Sequence, residues 1–200
     1  RPVAADGVRL TMPDTPANLA RFPRQKSGRG RSAWPQMLAV CLLDIADRRI
    51  VGAAFDNIRT GERALGRELW SRLDEKDLLI EDKGFFKKED LWRLDEAGRK
   101  FVCKLPGKPK YKVLCEYGPG DVLVEMRGRR PREAGEARDH GRGPHGNWKK
   151  FKLVVRLIVY KVNGVEHRIV TNVFDREIAP EDFAKIYHWR WDAEIAYDEL

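Results

Sequence analysis

Apolar positions along the chain fall into short runs, and the spacing within each run separates strands from helices. Gln36 to Asp44 (QMLAVCLLD) and Arg49 to Phe55 (RIVGAAF) are near-continuous apolar runs, and the joint between them, Ile45 to Arg48, has the length of a hairpin connection. Gly61 to Leu73 sets Leu65, Leu69, Trp70 and Leu73 at helical spacing. Lys88 to Ala97 does the same with Leu91 and Leu94, and Gly98 supplies its stop. Leu78 to Ile80 and Phe101 to Leu105 are short buried strands. At the start, Pro2 to Ala5 leads into Asp6-Gly7, after which Val8 to Met12 alternates like an edge strand. The PDTPANLARF that follows, with two prolines around Asp-Thr, predicts a turn or loop.

Beyond Pro106 the pattern changes. YKVLCEY, DVLVEMR and Phe151 to Lys161 (FKLVVRLIVYK) alternate as antiparallel strands do. A strand at Arg168 to Phe174 and a closing helix over Glu181 to Leu200 complete the chain. The fold class read from this order is α/β: a mixed sheet with flanking helices and an inserted antiparallel β subdomain. The predicted organisation is residues 1–105 as the first part of the core, 106–164 as a β-rich insertion with a basic loop, and 165–200 as the last core strand and closing helix.

Pro180 suits the first position of that closing helix, and Glu181 and Asp182 suit its first turn. On a continuous helix Tyr187, Arg190, Glu194 and Asp198 share one arc with Trp191 beside it, while Ile186, Ala193, Tyr197 and Leu200 share a neighbouring arc able to pack on a core. Arg190 and Glu194 then read either as a surface i,i+4 pair or as a functional one.

Charge adds a partner class. The net charge is +8, with 42% hydrophobic and 35% charged residues over 200, and the excess sits in two segments rich in Gly and Pro. Arg21 to Arg31 and Arg127 to Lys150 each carry +5, and the remainder is near neutral. Read as flexible basic loops, they attract a phosphate backbone without reading sequence, with Arg127, Arg129, Arg130 and Arg132 as candidate DNA contacts. No apolar run reaches the length of a membrane span, and no signal-peptide pattern opens the chain. Cys41, Cys103 and Cys115 read as buried free thiols in a reducing compartment. His140 and His145 lack the neighbouring ligands of a zinc site, and the glycines nearby lack the Lys-Ser/Thr ending of a P-loop. Opening on Arg1 and stopping inside a helix, the sequence reads as a piece of something longer.

Asp82 stands at the carboxyl end of a buried strand and Asp6 follows a short apolar one. A carboxylate at such a place needs a partner or a metal. Singly, Asp6-Gly7 reads equally as a turn and Asp82 as a helix cap; with Glu194 they make an all-oxygen set suited to two Mg²⁺ or Mn²⁺ ions in phosphoryl transfer.

These pieces, DGVRLTMPDTPAN around Asp6, LLIEDKGFF around Asp82, RIVTNVFD at Arg168 to Asp175 and YHWRWDAE with Tyr187, Arg190 and Glu194, resemble the catalytic domain of bacterial insertion-sequence transposases of the DDE class, with their Tyr-x2-Arg-x3-Glu signature. The resemblance implies a ribonuclease H-like fold, with Asp6, Asp82 and Glu194 binding the catalytic metals. It implies that Tyr187 and Arg190 contact DNA near the scissile phosphate. The implied activity is cleavage at transposon ends and strand transfer to target, on double-stranded DNA, by a homodimer, in the bacterial cytoplasm at the nucleoid. Two alternatives stay open: an inactive or domesticated DNA-binding relative, and a generic metal nuclease of the same fold.

Overall fold

The computed structural model describes residues 1–27, 30–133 and 148–191. Its centre is one nine-stranded sheet built from β1 (Pro2–Thr11), β4 (Gln36–Asp44), β5 (Arg49–Asn57), β6 (Leu78–Glu81), β7 (Lys100–Lys104), β8 (Lys112–Gly118), β9 (Asp121–Pro131), β10 (Trp148–Val162) and β11 (Val165–Thr171). The strand order is β5-β4-β1-β6-β7-β11-β10-β9-β8; only the β1–β6 and β6–β7 pairs are parallel. A two-stranded ribbon, β2 (Lys26–Ser27) with β3 (Gly30–Arg31), lies apart from it. This mixed, mostly antiparallel architecture is compatible with a ribonuclease H-like fold. The strands read as an insertion, β8 to β10, continue the same sheet through β11 and β7.

Alternation of side chains along the strands sorts the core into two layers. On one face Val3, Ala5, Leu79, Phe101 and Cys103 pack under the helices α2 (Glu62–Glu68) and α3 (Lys88–Glu96) through Leu65, Leu91 and Leu94. On the other, Ala4, Ile80, Val102, Ile158 and Ile169 pack under α4 (Pro180–His188) through Phe183 and Tyr187. The sheet therefore has one face for α2 and α3 and one for α4.

Several sequence expectations are corrected. β1 runs straight through Asp6-Gly7, because β4 pairs with it without a break from Val3 opposite Asp44 to Thr11 opposite Gln36, so the turn reading of this dipeptide is removed. The segment expected as a loop contains α1 (Pro16–Arg21), with Pro16 in its first turn and the Thr15 side chain accepting the Asn18 N–H at 3.2 Å. Strand β11 stops at Thr171 rather than Phe174. The Asn172 side chain takes over the pairing there, accepting the Phe101 N–H at 3.0 Å and donating to Asp95 and to the Arg99 carbonyl.

Arg127 to Pro131 and Trp148 to Lys150 are not loop but strand, paired as the ends of β9 and β10. Residues 134–147, with His140 and His145, lie outside the described residues. α4 runs to His188 and is followed by a turn at Trp189 and Arg190, where the Arg190 backbone N–H donates to the Tyr187 carbonyl three residues back (3.2 Å), tighter than the α-helix, and Trp191 is helical again. Glu194, Ala193, Tyr197, Asp198 and Leu200 lie outside the described residues. Cys41 and Cys103 are buried as expected; Cys115 is exposed, because the edge strand β8 has few residues covering it. Among the described residues no helix is long and apolar enough to cross a membrane.

Candidate active site

Parallel pairing of β1 with β6 sets Ala5 opposite Glu81, so the next residues, Asp6 and Asp82, come side by side at one end of the sheet. Both follow the alternation of Ala4 and Ile80 and face α4. On β7, where Cys103 lies opposite Glu81, the next residue is Lys104, which extends the row by one cation. Gly7 points to the other face, where an added Cβ would come within 2.8 Å of the Glu62 side chain at the start of α2.

Helix α4 closes the row from above. The Tyr187 hydroxyl donates to Asp82 Oδ1 at 2.9 Å, and Arg190 Nη1 donates to Asp6 Oδ2 at 2.8 Å. Asp6 Oδ1 accepts the Gly7 N–H at 2.8 Å. Lys104 Nζ lies 5.7 Å from the Tyr187 ring centre and the Arg190 guanidinium 6.0 Å from it. Tyr187 and Arg190 are both buried, Arg190 to 5% exposure, so the reading of Arg190 as half of a wet surface pair is removed. Phe183, one turn before Tyr187, seals α4 onto the sheet; its place on the buried arc went unread because the arc was drawn from Ile186 onward.

The electrostatics follow from these contacts. Burial alone would raise Asp82, but the Lys83 backbone N–H, the Tyr187 hydroxyl and the charges of Arg190 and Lys104 outweigh it and hold the carboxyl below its ordinary value. Burial, and then Asp82, push the Tyr187 hydroxyl well up, so it remains a donor. Burial opposes the charge of Arg190, yet Tyr187, Asp6 and Asp82 together keep it above its ordinary value. Beside them His188 packs edge-on to Tyr187, His167 and Trp191, and burial followed by the charges of His167 and Lys104 holds it down. The site thus offers the ionised carboxylate of Asp82, the Asp6 carboxylate against Arg190, a phenol donor and a guanidinium.

Hard oxygen donors on neighbouring strand ends, with a cation already drawn against one of them, suit a divalent ion of the Mg²⁺ class. Among the described residues no three His, Cys, Asp or Glu side chains come together as a metal cluster; Glu194, the third carboxylate of the sequence reading, is not among those residues.

The immediate neighbour of Asp82 behaves differently. Glu81 faces α3, is 4% exposed, and is pushed up to about 8 by burial and then by Asp90. Asp90 is itself raised by burial despite Arg67 at 3.7 Å, and its Oδ1 has no hydrogen-bond partner among the described residues. Sequence reading passed over Glu81, although its alternation with Leu79 is the signal that assigns it to the covered face.

Of the four arginines expected to meet DNA, Arg127 and Arg129 are exposed. They pair with Lys152 and Lys150 across β9 and β10 and line an open groove of about 690 Å³. Arg127 also bonds Glu125 at 2.7 Å, and Arg132 is half-buried. Arg130 is turned inward, its guanidinium 4.9 Å from the Trp92 ring centre, and donates to the Pro131 carbonyl at 3.0 Å; alternation along a strand sends it to the face opposite Arg129.

Comparison with known proteins gives two matches. The model of the family described as transposase DDE domain matches residues 1–200. The chain is also 28% identical over 201 residues to transposase InsG for insertion sequence element IS4 of Escherichia coli (strain K12), an alignment covering 99% of this chain and 43% of that protein. The chain therefore spans less than half the length of this relative.

Proposed function

This chain belongs to the transposase DDE domain family, and we propose from that membership that it is the catalytic core of an enzyme that cuts double-stranded DNA at transposon ends and joins the freed ends to target DNA. The observation that carries the reading is the pair of bonds from Tyr187 to Asp82 and from Arg190 to Asp6, which gather residues 105 and 184 positions apart in the chain onto one end of the sheet. All four belong to the motifs that resemble the Tyr-x2-Arg-x3-Glu subgroup.

In this reading Asp6, Asp82 and Glu194 hold two Mg²⁺ or Mn²⁺ ions, which when bound supply an activated oxygen nucleophile and neutralise charge on the phosphate. Asp82 arrives ionised, because Tyr187, Arg190 and Lys104 keep it so. Tyr187 fixes the orientation of the Asp82 carboxylate by holding one of its oxygens. Arg190 can exchange Asp6 for a phosphate, since its planar fork fits either anion with two parallel bonds. Arg127 and Arg129, with Lys150 and Lys152, add affinity for the DNA backbone irrespective of sequence. The DNA complex is proposed to contain two copies.

The test uses the full-length parent protein and DNA carrying its transposon ends, with Mg²⁺. Cleavage by the wild type and its reduction in Arg190→Lys, where charge remains and the fork is lost, are the expected results. Binding without any metal-dependent cleavage would instead assign the chain to the binding-only relatives, and full cleavage by Arg190→Lys would remove Arg190 from the phosphate.

A further inference from the structure

Arg156, in the middle of β10, is 1% exposed, among the most deeply buried large side chains of the protein. A guanidinium in such a place is strongly destabilising unless its charge and its donors are all answered. Asp121, on the neighbouring strand β9, answers the charge: Nε donates to Oδ1 at 2.8 Å and Nη2 to Oδ2 at 2.6 Å. The remaining donors go elsewhere. Nη1 donates to the Asp175 carbonyl at 2.7 Å and Nη2 to the Ile178 carbonyl at 3.0 Å.

Those two carbonyls belong to the segment between β11 and α4, and Ile178 stands two residues before Pro180, where α4 begins. The same guanidinium lies 5.2 Å from the ring centre of Phe183, the residue that seals α4 onto the sheet. One buried cation therefore grips the entry to α4 and touches its first turn. Tyr187, which holds Asp82, lies at the other end of the same short helix, and Arg190, which holds Asp6, lies in the turn just past it.

We propose that Arg156 is a positioning residue for the active site, setting where α4 lies on the sheet and hence where Tyr187 and Arg190 meet the two carboxylates. The effect on cleavage rests on the transposase reading; the seat of α4 does not. A purely structural ion pair between β9 and β10 would need only Asp121. The two carbonyl bonds have no part in joining those strands, and they are what ties the segment to the sheet.

The experiment separates the two roles by removing the carbonyl grip while keeping the core. The first variant is Arg156→Lys, whose single ammonium cannot span a carboxylate and two carbonyls at once. The second replaces the pair by apolar side chains, Arg156→Met with Asp121→Leu, a kind of exchange that buried ion pairs often tolerate without loss of stability. In the full-length protein, amide hydrogen exchange over Phe183 to His188 should accelerate by about tenfold or more in both variants while β9 and β10 stay protected. Cleavage turnover at saturating DNA should fall by as much as about a hundredfold with DNA affinity held, as expected for misplaced groups near the chemistry. Unchanged exchange in α4, with the double variant folded and as active as wild type, would overturn the proposal. If the wild type itself does not cleave, the transposase reading fails, and the exchange pattern alone decides on Arg156.

Discussion

Glu81 and Asp82 are consecutive acids at the end of one strand, and the sheet sends them to opposite faces. Asp82 meets α4, where a phenol, a guanidinium and an ammonium gather around it, and it is held ionised. Glu81 meets α3, where burial and then the charge of another acid, Asp90, keep it protonated up to about 8. Residue type and depth along the strand are nearly the same. The difference lies in what the covering helix brings: α4 supplies donors and cations, and α3 supplies Leu91, Leu94 and a carboxyl. A charge is retained at the end of this sheet only where the opposing helix is built to meet it.

The two acids accordingly load the fold with opposite pH dependences, and three experiments sharpen or break the contrast. Glu81 has the larger expected effect. Its ordinary value is 4.5 and its value in the fold is about 8, so the folded state holds an extra proton across that window and loses stability as pH rises through it. Glu81→Gln should remove this slope and stabilise the protein above that window by an amount on the order of a few kcal/mol, read from denaturant unfolding at a series of pH values. An unchanged pH profile would mean that Glu81 is ionised in the fold and has a partner.

Asp82 works the other way, stabilising the fold above its unfolded value and losing that contribution as pH falls through its depressed one. Tyr187→Phe removes one donor from it and should cost roughly 1 kcal/mol at neutral pH, while moving the acid limb of the stability profile upward. A profile identical to wild type on the acid side would show that the 2.9 Å bond does not hold the carboxylate.

How far this contrast was legible in the sequence depends on the range of the interactions. The hairpin from Gln36 to Asn57, the strand ending before Asp82 and the grouping of Tyr187 and Arg190 with Asp82 and Asp6 could be read because each is local or belongs to a motif. The path of β1 through Asp6-Gly7 could not, since it is dictated by pairing with β4 some thirty-five positions away, at Asp6 opposite Cys41. Arg130 looked like one of four equivalent arginines until Trp92, on α3, drew it inward. Arg156 shows the limit most clearly: its carboxylate and its two carbonyls come from separate segments, and period-two alternation alone offers no reason for an Arg at that buried position.

The measurement that tests the central claim most directly is Mn²⁺ binding by the full-length protein, followed through the paramagnetic resonance of the free ion, in wild type, Asp82→Asn and Glu81→Gln. The account predicts that Asp82→Asn weakens binding by about tenfold or more, through loss of a charged oxygen ligand, and that Glu81→Gln leaves it as in wild type. Retained affinity in Asp82→Asn, or lost affinity in Glu81→Gln with the fold intact, would contradict the assignment of the metal to the α4 face of the sheet.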